Sequence, residues 1–381
     1  MRRAMRAAPS LSGVRILQGP PGYHRHGGRV SATRDFRDPM RIAVDVMGGD
    51  HGCGVIIAGV KRALEEQKDI CIIYLVGNKA DIHAALPQRG FRDHRVRVIH
   101  STEVVEMEDK PVVALRKKKD SSIARAAELV AEGKADALIS LGNTGGIFAA
   151  GTFKIGRIAG VDRGCIATVI PRHENEFVLL DAGANVECKP FHLAQFAVMG
   201  NVYSREILKR KNPRVGILSN GTEDSKGNDL TLEAFKLCQK LDLNFIGNVE
   251  GHDLFKDHVD VVVCDGFVGN IVLKTAESLA VAMFSMLKRE LMHTTQRKLG
   301  AYLAKGAFQT IRRRMDPEVY GGAPMLGFNG LVFKSHASAR ERAVTSAIRV
   351  TVDAVKNQIN QTIARDIAAA NKKLAVGPEN A

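Results

Sequence analysis

The chain has 381 residues, 45% hydrophobic and 25% charged, with Lys and Arg outnumbering Asp and Glu by 55 to 41. This is the composition of a globular protein, and its formal charge of +14 suits nucleic acid, anionic lipid, an acidic protein or a phosphorylated substrate as a partner. Aromatic residues are only 5%, too few for the stacking surface of a single-strand nucleic-acid binder, and no uninterrupted apolar run reaches the roughly 18 residues of a membrane span.

Residues 1–39 differ from the rest of the chain. They are rich in Arg, Gly and Pro, contain no Lys, and show neither helical nor strand periodicity. They also lack the apolar stretch of a secretory signal. Their composition is typical of an organellar transit peptide, a flexible tail, or sequence upstream of a true start at Met40. We predict a disordered leader or a mis-assigned start, and we leave these residues out of the fold prediction.

From Met40 onward, short apolar runs alternate with amphipathic stretches. The apolar runs predict strands at Ile42–Val46, Cys71–Val76, Val96–His100, Ala137–Ser140, Ile166–Ile170, Val178–Leu180, Val215–Leu218, Phe245–Ile246 and Val259–Val263. The other stretches predict helices at Val55–Glu66, Ile123–Ala131, Phe191–Lys209, Leu230–Lys240, Gly269–Arg289 and Ala337–Ile367. This alternation indicates an α/β fold with a mostly parallel sheet covered on both faces. We assign residues 40–355 to one main domain, which includes 285–315, and residues 356–381 to a C-terminal helix and tail.

Five of the predicted strands end in short loops rich in Gly, Asn and Asp. They are the strands that begin at Ile42, Ala137, Val178, Val215 and Val261. In an open α/β sheet, ligands bind outside the carboxyl ends of the strands. There glycine lets backbone N–H groups approach an anion, and a helix N-terminus favours negative charge. One such loop is ordinarily only a turn, but five of them predict an anion site lined by several loops.

Neither a nucleotide cofactor nor a metal is predicted. The sequence contains no GxxxxGK[ST] phosphate loop, no GxGxxG dinucleotide fingerprint, no CxxC pair and no HExxH, which are the motifs that would indicate them. The six cysteines are scattered along the chain, and we interpret them as reduced thiols packed as small apolar residues.

The loop residues supply the candidate site. The predicted anion-binding residues are Asp45, Gly48, Gly49, Asp50, Asn143, Thr144, Gly145, Asn185, Asn220, Gly221, Gly266 and Asn270. Lys226 and Lys274 are predicted to offset the charge of an anion such as phosphate, and Asp181 or Asp265 to move protons or orient those lysines. A helix N-cap is the alternative role of each Asp. Replacing Lys226 with Ala is expected to lower turnover about tenfold or more and to leave the fold intact.

The segment Ser285–Met315 is strongly basic. Eight cationic side chains accompany a single acid, Glu290. Apolar residues recur at every fourth position, at Leu299, Leu303, Ala307, Ile311 and Met315. The pattern is typical of a basic amphipathic helix, which lies on an anionic bilayer or binds an acidic partner. A surface helix packed on the body of the protein is the alternative.

Several long motifs occur in order between Met40 and about Val350. They are Arg41–Asp50 (RIAVDVMGGD), Leu141–Gly145 (LGNTG), Leu180–Asn185 (LDAGAN), Asn220–Gly227 (NGTEDSKG), Cys264–Asn270 (CDGFVGN) and Tyr320–Gly327 (YGGAPMLG). In these motifs the chain resembles the phosphate acyltransferase family of bacterial phospholipid synthesis. The resemblance implies a Rossmann-like three-layer α/β/α fold, similar to phosphate acetyltransferases and isocitrate-type dehydrogenases, in a homodimer.

The resemblance also implies an activity and a location. The activity is transfer of the acyl group of an acyl-[acyl-carrier protein] to inorganic phosphate, without a cofactor. The location is the cytoplasm, with peripheral attachment to the membrane. Carrier proteins of this type are acidic, which agrees with the basic balance of the chain.

Three departures from the family pattern are present. Asp50 is followed by His-Gly-Cys instead of His-Ala-Pro or Phe-Gly-Pro, and Gly146 replaces an alanine. Near the end of the motif region, Ser-His-Gly appears as Ser335-His-Ala337. Because alanine is strained where φ is positive, this last departure bears on the placement of His336, which the resemblance puts at the phosphate site.

Phosphate is already a nucleophile and a thioester is already activated, so the reaction needs no covalent enzyme intermediate. A covalent route through Cys188 or Cys264 is the rival mechanism. Three rival functions remain: a coenzyme A-dependent phosphate acetyl- or butyryltransferase, a β-decarboxylating dehydrogenase that requires NAD and Mg²⁺, and a non-catalytic scaffold that recruits carrier protein to the membrane.

Overall fold

The computed structural model describes residues 40–315 and 320–375, apart from the side chain of Arg312. The predicted leader, residues 1–39, and the last six residues of the predicted tail lie outside the described residues. The strands are β1 (Met40–Asp45), β2 (Ile70–Gly77), β3 (Val96–His100), β4 (Ala137–Ser140), β5 (Cys165–Pro171), β6 (Glu176–Leu180), β7 (Arg214–Leu218), β8 (Asn244–Val249), β9 (Val261–Val263), β10 (Ala323–Leu326) and β11 (Leu331–Lys334).

Helices connect most of these strands. They are α1 (Cys53–Glu66), α2 (Lys79–Gln88), α3 (Pro111–Lys117), α4 (Ser122–Ala131), α5 (Thr144–Ala150), α6 (Pro190–Glu206), α7 (Asp229–Cys238), α8 (Gly266–Leu291), α9 (Thr295–Leu303), α10 (Lys305–Arg314), α11 (Glu341–Lys356) and α12 (Ile359–Ala375). A π-helical turn, Gly151–Ile155, continues α5 without a break.

The strands form one sheet in the order β3-β2-β1-β4-β11-β10-β5-β6-β9-β7-β8. Side chains alternate between its two faces, as in any strand. Ile42 and Val44 of β1 are buried in a cluster with residues of α1, α6, α11 and α12, whereas Ala43 is buried in a second cluster with residues of α3, α4 and α5. Helices therefore cover both faces, and the predicted three-layer α/β/α arrangement is confirmed.

Strand direction divides the sheet into two halves. The strands β3, β2, β1, β4 and β11 are parallel to one another. Three successive antiparallel pairings follow, β11 with β10, β10 with β5, and β5 with β6. The strands β6, β9, β7 and β8 are again mutually parallel, but they run opposite to β1. The carboxyl ends of β1, β4 and β11 thus point in the opposite direction from those of β6, β9 and β7. The register through β10 and β5 nevertheless places the last residues of β11 and β6, Lys334 and Leu180, at nearly the same level of the sheet.

The expectation that all five Gly-rich loops leave the sheet in one direction is therefore wrong. Its cause is the reversal of strand direction between β11 and β6. Neither β10 nor β11, each four residues long, is among the strands expected from sequence. Without these two strands, the sequence predicts a mostly parallel sheet.

Two predicted helices are divided in the structure. The stretch expected at Ala337–Ile367 forms α11 and α12, because Gln358 has a φ of 49° and turns the backbone out of the helix. Ser285–Met315 holds the end of α8 followed by α9 and α10, and the Thr294 side chain caps α9 by accepting a hydrogen bond from the N–H of Arg297. The basic segment is thus three short helical pieces.

The C-terminal helix belongs to the same body as the rest of the fold. Ile359, Ile363 and Ile367 recur every fourth residue and are fully buried in the main hydrophobic cluster. Asn371 of α12 donates a hydrogen bond to the carbonyl of Gly160 at 2.8 Å. The boundary predicted at residue 356 is a turn between two helices and does not separate domains.

Candidate active site

Three loops meet at the edge where β1, β4 and β11 end. A Cβ added to Gly48 would lie 2.5 Å from the backbone nitrogen of Gly142, so the first two loops touch through their backbones. The N–H of Asp50 donates to the carbonyl of Ala337 at 2.9 Å, and the N–H of Ser335 donates to the carbonyl of Ser140 at 3.0 Å. These contacts tie the loop after β11 to the other two.

The side chain of Asp45 connects the ends of β1 and β4 through hydrogen bonds. It is fully buried, and its carboxylate accepts hydrogen bonds from the Ser140 hydroxyl at 2.6 Å and the Met47 N–H at 3.0 Å. Burial raises the pKa of Asp45, and these hydrogen bonds oppose that rise. A carboxylate enclosed in this way does not contact a phosphate. The prediction of Asp45 as a phosphate ligand is corrected to a role in positioning the loops.

Lys334, which sequence reasoning missed, is the cation of this edge. It ends β11 directly opposite Ser140 of β4. Its pKa is lowered, first because burial disfavours the charged amine and then because Lys274 lies nearby. The ammonium makes no hydrogen bond or ion pair with any residue in the described parts of the chain. The sequence signal that could have identified Lys334 is its position at the end of an apolar run, immediately before Ser335-His336.

His336 follows Lys334 by two residues. Its Nδ1 accepts a hydrogen bond from the Ser338 N–H at 3.2 Å and lies 2.7 Å from the Ser338 hydroxyl. The pKa of His336 is lowered by burial and by the charges of Lys334 and Lys274. In the neutral ring, the accepting Nδ1 places the proton on Nε2, which is then a donor. His336 thus lies beside Lys334, and its contact with phosphate stays a prediction.

Ala337 does not strain the backbone. Among the described residues, only Lys209 and Gln358 have a positive φ without being glycine. The expectation that Ala337 occupies a conformation reserved for glycine is therefore wrong, and the departure leaves His336 in place.

Helix α8 carries a second cation to the same edge. Lys274 forms an ion pair with Glu277 at 2.8 Å, one turn further along the helix. The charges of both residues act on Lys334 and on His336. Helix α8 begins directly after β9 and carries Lys274 to this position within its first three turns. Lys274 is the predicted catalytic lysine that the structure brings to Lys334.

The turn between β4 and α5 borders the site. The Oδ1 of Asn143 accepts from the Gly146 N–H at 2.9 Å, capping α5. Its Nδ2 donates to the carbonyls of Glu106, Met107 and Asp109 at 3.0, 2.9 and 3.3 Å. The Asn143 side chain therefore serves as a clamp, and the N–H groups of Thr144 and Gly145 remain as the donors of this turn, since the first N–H groups of a helix have no acceptor within it.

Asp181 and Asn185 lie in the loop after β6, whose strand runs opposite to β11. The buried carboxylate of Asp181 accepts from the N–H groups of Ile166, Gly183, Ala184 and Asn185 and from Nδ2 of Asn185, at 2.7–3.3 Å. Burial raises the pKa of Asp181, and these bonds oppose the rise. No lysine of the described residues contacts it. The predicted role of Asp181 in proton transfer or lysine orientation is corrected to that of a fastener between β5 and its own loop.

Asp265, Gly266 and Asn270 form the start of α8. The Asp265 carboxylate accepts from the N–H groups of Phe267 and Val268 at 2.9 Å, so its N-cap alternative is confirmed. A Cβ on Gly266 would lie 2.8 Å from backbone atoms of Asn185, and one on Gly183 would lie 3.4 Å from the Asn270 side chain. Asp265 is thus an N-cap rather than a proton carrier, Gly266 and Asn270 lie where two loops pack together, and their role as anion ligands stays a prediction.

Asn220, Gly221 and Lys226 lie in the loop after β7, five positions from β11 in the order of the sheet. The stem of Lys226 covers Gly221, where an added Cβ would come within 2.4 Å of it. Asn248 fastens this loop by donating to the carbonyls of Glu223 and Lys226 at 2.8 and 3.3 Å. The charges that shift the pKa of Lys334 are those of Lys274 and Glu277. The structure does not bring Lys226 to that group, and its catalytic role stays a prediction.

Comparison with known proteins finds relatives that cover most of the chain. The profile of the family described as "Fatty acid synthesis protein" matches residues 40–362. A protein called Phosphate acyltransferase from Pelotomaculum thermopropionicum is 46% identical over 338 residues, which are 89% of this chain and 98% of the relative. Another of that name, from Desulfitobacterium hafniense, is 50% identical over 329 residues, 86% of this chain and 98% of the relative. The chain belongs to the phosphate acyltransferase family.

Solved structures agree on the architecture of this phosphate acyltransferase family member. A phosphotransacetylase from Streptococcus pyogenes superposes with a TM-score of 0.56 at 20% identity, covering 84% of this chain and 94% of its own. At that identity the likeness shows the fold alone. Membership of the family makes the chain an enzyme.

Cys188 and Cys264, the two candidates for a covalent route, are poor nucleophiles. Burial raises the pKa of Cys188 to about 12, with the charges of Asp181 and Asp265 adding to the rise. Burial also places the pKa of Cys264 well above that of an ordinary thiol. Because the thiolate is the reactive form, the structure disfavours the covalent rival mechanism.

A small cluster of metal-type ligands lies elsewhere. Glu250, His252 and Asp253 have ligand atoms within 4.8 Å of one another. His252 is 2.9 Å from Glu250 and 3.2 Å from Asp253, and Lys256 is 3.0 Å from Asp253. The charges compensate one another, so the cluster is an ion-pair network at the surface.

Proposed function

We propose that this enzyme transfers the acyl group of an acyl-[acyl-carrier protein] thioester to inorganic phosphate, giving acyl phosphate and free carrier protein. The observation that carries the proposal is Lys334, a partly buried ammonium without a partner among the described residues. A desolvated cation left unpaired is costly, unless an anion occupies the place beside it. Lys274 and the loops of β1 and β4 surround that place.

The residues have distinct roles in this reaction. Lys334 and Lys274 offset the charge of the phosphate dianion and hold it beside the thioester. A phosphate oxygen attacks the carbonyl carbon, forming the new C–O bond, and the carbonyl oxygen gains the negative charge. The Nε2–H of neutral His336 stabilises that oxyanion as a hydrogen-bond donor. The C–S bond then breaks, the sulfur takes the electron pair, and the proton of hydrogen phosphate ends on the thiol.

The carrier distinguishes this proposal from its nearest rival. A coenzyme A-dependent phosphate acyltransferase needs the same phosphate site, and the fold is shared with phosphotransacetylases. The relatives at 46% and 50% identity are called phosphate acyltransferases, and the description of the family is fatty acid synthesis. These names favour a fatty acyl substrate over acetyl or butyryl groups. A non-catalytic scaffold would not require an unpaired ammonium beside loops that can bind an anion, so this feature favours an enzyme.

The proposal is tested by direct assay. Purified protein is incubated with long-chain acyl-carrier protein and phosphate, and acyl phosphate is trapped as a hydroxamate with hydroxylamine. We expect hydroxamate that depends on both phosphate and enzyme. Long-chain acyl coenzyme A and acetyl coenzyme A are compared at matched concentration. Faster turnover of acetyl coenzyme A than of the carrier substrate would select the rival enzyme, and no hydroxamate from any thioester would select the scaffold.

The chain is further proposed to form a homodimer through α8. Only Gly266 and Gly269 of its 26 residues are buried, and large apolar side chains such as Val281 and Met283 are 70% and 61% exposed. Within the described residues, α8 alone is long and apolar enough to cross a membrane, by length and composition only. Because Lys274 and Glu277 anchor this helix at the active site, a second copy is a better cover for its apolar face than lipid. Sedimentation equilibrium of wild type and of Val281→Asp tests this, since a dimer predicts that the variant is monomeric.

The α9–α10 region is proposed to lie on an anionic membrane surface of the cytoplasm. None of the residues of α9 is buried, and Tyr302 and Leu303 are 72% and 76% exposed. Basic residues at a lipid surface contribute about 1 kcal/mol each, giving reversible attachment. Co-sedimentation with phosphatidylglycerol vesicles should fall in Leu303→Asp and at high salt. Equal sedimentation of variant and wild type would remove the assignment.

A further inference from the structure

We propose that the acidic carrier protein docks on the exposed face of α3 together with the two residues that follow the helix, residues 112–119. The proposal rests on the function proposed above and adds the place at which the protein substrate binds. The surface is distinct from the basic α9–α10 region, which is assigned to lipid.

The charge of this segment is one-sided. Residues 110–119 contain five cationic side chains and no carboxylate. Lys118 is engaged, since it forms an ion pair with Asp109 at 2.5 Å and donates to the carbonyl of Val104 at 2.8 Å. The side chains of Arg116, Lys117 and Lys119 are exposed, and they make no hydrogen bond or ion pair with residues in the described parts of the chain. They are available to a partner of opposite charge.

Apolar side chains lie beside these cations. Ala114 and Leu115 of α3 are buried, whereas Val112 and Val113 on the other side of the helix are 40% and 46% exposed. Residues four apart on a helix are neighbours, so Val112 lies next to Arg116 and Val113 next to Lys117. An apolar centre with a cationic rim matches the usual anatomy of a protein interface.

The position of α3 fits the delivery of a tethered thioester. Pro111, the first residue of α3, reaches within 2.4 Å of where a Cβ on Gly145 would stand. Asn143 clamps the preceding residues through the carbonyls of Glu106 and Met107. A protein docked on α3 therefore stands beside the turn that borders the phosphate site. By contrast, α8 ends 17 residues beyond Lys274, about 25 Å along the helix, so α9 begins far from that lysine.

The test compares two triple variants that remove equal charge. Arg116→Ala/Lys117→Ala/Lys119→Ala strips the proposed surface. Lys68→Ala/Lys211→Ala/Lys240→Ala removes three exposed lysines from loops that precede β2, β7 and β8, away from α3. For each protein, kcat/KM is measured with long-chain acyl-carrier protein and with the same acyl group on pantetheine.

For the α3 variant we expect the ratio of kcat/KM for the carrier substrate to that for the pantetheine thioester to fall about tenfold, mostly through KM. We expect the control variant to keep the wild-type ratio. The carrier KM of wild type should also rise with ionic strength more steeply than that of the α3 variant. If the triple variant loses thermal stability, Lys117→Glu alone makes the same comparison.

Three outcomes would overturn the docking surface. They are an unchanged ratio in the α3 variant, an equal fall in the control variant, and loss of phosphatidylglycerol vesicle binding by the α3 variant with unchanged carrier kinetics. The last would assign α3 to a lipid surface. Failure of the proposed function looks different, because wild type itself would then form no acyl phosphate from either thioester.

Discussion

Lys334 and Ser140 are register partners on β11 and β4, so an ammonium and a hydroxyl leave neighbouring strands at the same level. The hydroxyl donates to Asp45 at 2.6 Å and accepts from the Gly142 N–H at 3.0 Å. The carboxylate is thereby used within the fold, and the ammonium is left for a ligand. We infer that this arrangement at one strand pair provides the proposed anion site.

Removal of the Lys334 ammonium should abolish phosphate recognition. We expect Lys334→Ala to lower kcat/KM for phosphate about a hundredfold, since preorganised charges at the reacting anion are among the largest catalytic terms. Lys334→Arg should recover part of the loss. Hydroxamate formation at varied phosphate concentration measures both.

Lys226→Ala is the matched comparison, because it also removes a lysine from a Gly-rich loop at a strand end. Lys226 follows β7, which lies five positions from β11 in the sheet, roughly 24 Å at the usual strand spacing, so we expect a change of about threefold or less. A larger loss in Lys226→Ala than in Lys334→Ala would restore the expectation drawn from sequence and contradict the site assigned here.

Activity should decline at alkaline pH because Lys334 must be charged. Burial and Lys274 lower its pKa, whereas Glu277 raises it. The cation therefore persists below this lowered pKa and is lost as pH rises through it. Glu277→Gln removes the raising charge, so the alkaline limb of kcat/KM for phosphate should move to lower pH. Glu233→Gln, which breaks a comparable pair with Lys236 on α7, should leave the limb in place. A shift to higher pH in Glu277→Gln would reject the assignment.

The sequence predicted the α/β class and most strands because buried strands and amphipathic helices have distinct apolar periods. It also predicted the N-cap alternative of Asp265, since an Asp before a helical run has that chemistry. It could not show the reversal of strand direction, because the pairing of β10 and β11 is set by contacts distant in sequence. Lys334 was overlooked for the same reason: its importance depends on standing opposite Ser140, nearly two hundred residues away.

The contact between Gly48 and Gly142 should tolerate no side chain. A Cβ on Gly48 would lie 2.5 Å from a backbone nitrogen, so Gly48→Ala should push the two loops apart at a cost of about 1–3 kcal/mol in the free energy of unfolding. Thermal denaturation and the KM for phosphate report the change. Gly251→Ala, where an added Cβ meets nothing within 4 Å, should behave as wild type. A Gly48→Ala enzyme with unaltered stability and KM would show that the loops do not need this close approach.

The clamp formed by Asn143 should be separable from its cap. Asn143→Asp keeps an oxygen for the Gly146 N–H but replaces the donors to Glu106, Met107 and Asp109 with a repelling carboxylate. We expect faster amide hydrogen exchange in residues 104–113 and a higher KM for the carrier substrate. Asn78→Asp changes an N-cap of α2 whose Oδ1 accepts from Ala80, and it should leave that exchange unchanged. Equal protection in the two variants would mean that the Asn143 donors do not hold the segment.

Cys188 should be dispensable for catalysis. Because burial raises its pKa to about 12, little thiolate exists at neutral pH, and we expect Cys188→Ser and Cys264→Ser to retain turnover within about threefold. Single-turnover assays with radiolabelled acyl-carrier protein should show no acyl-enzyme. A covalent adduct lost in either serine variant would establish the thioester route instead.

The most direct test of the account is a crystal structure of the enzyme with bound phosphate. We predict the anion within hydrogen-bond distance of the Lys334 ammonium, beside Lys274 and the turn at Thr144–Gly145. Phosphate found instead at Lys226 and Asn220, with Lys334 turned onto a protein carboxylate, would contradict it.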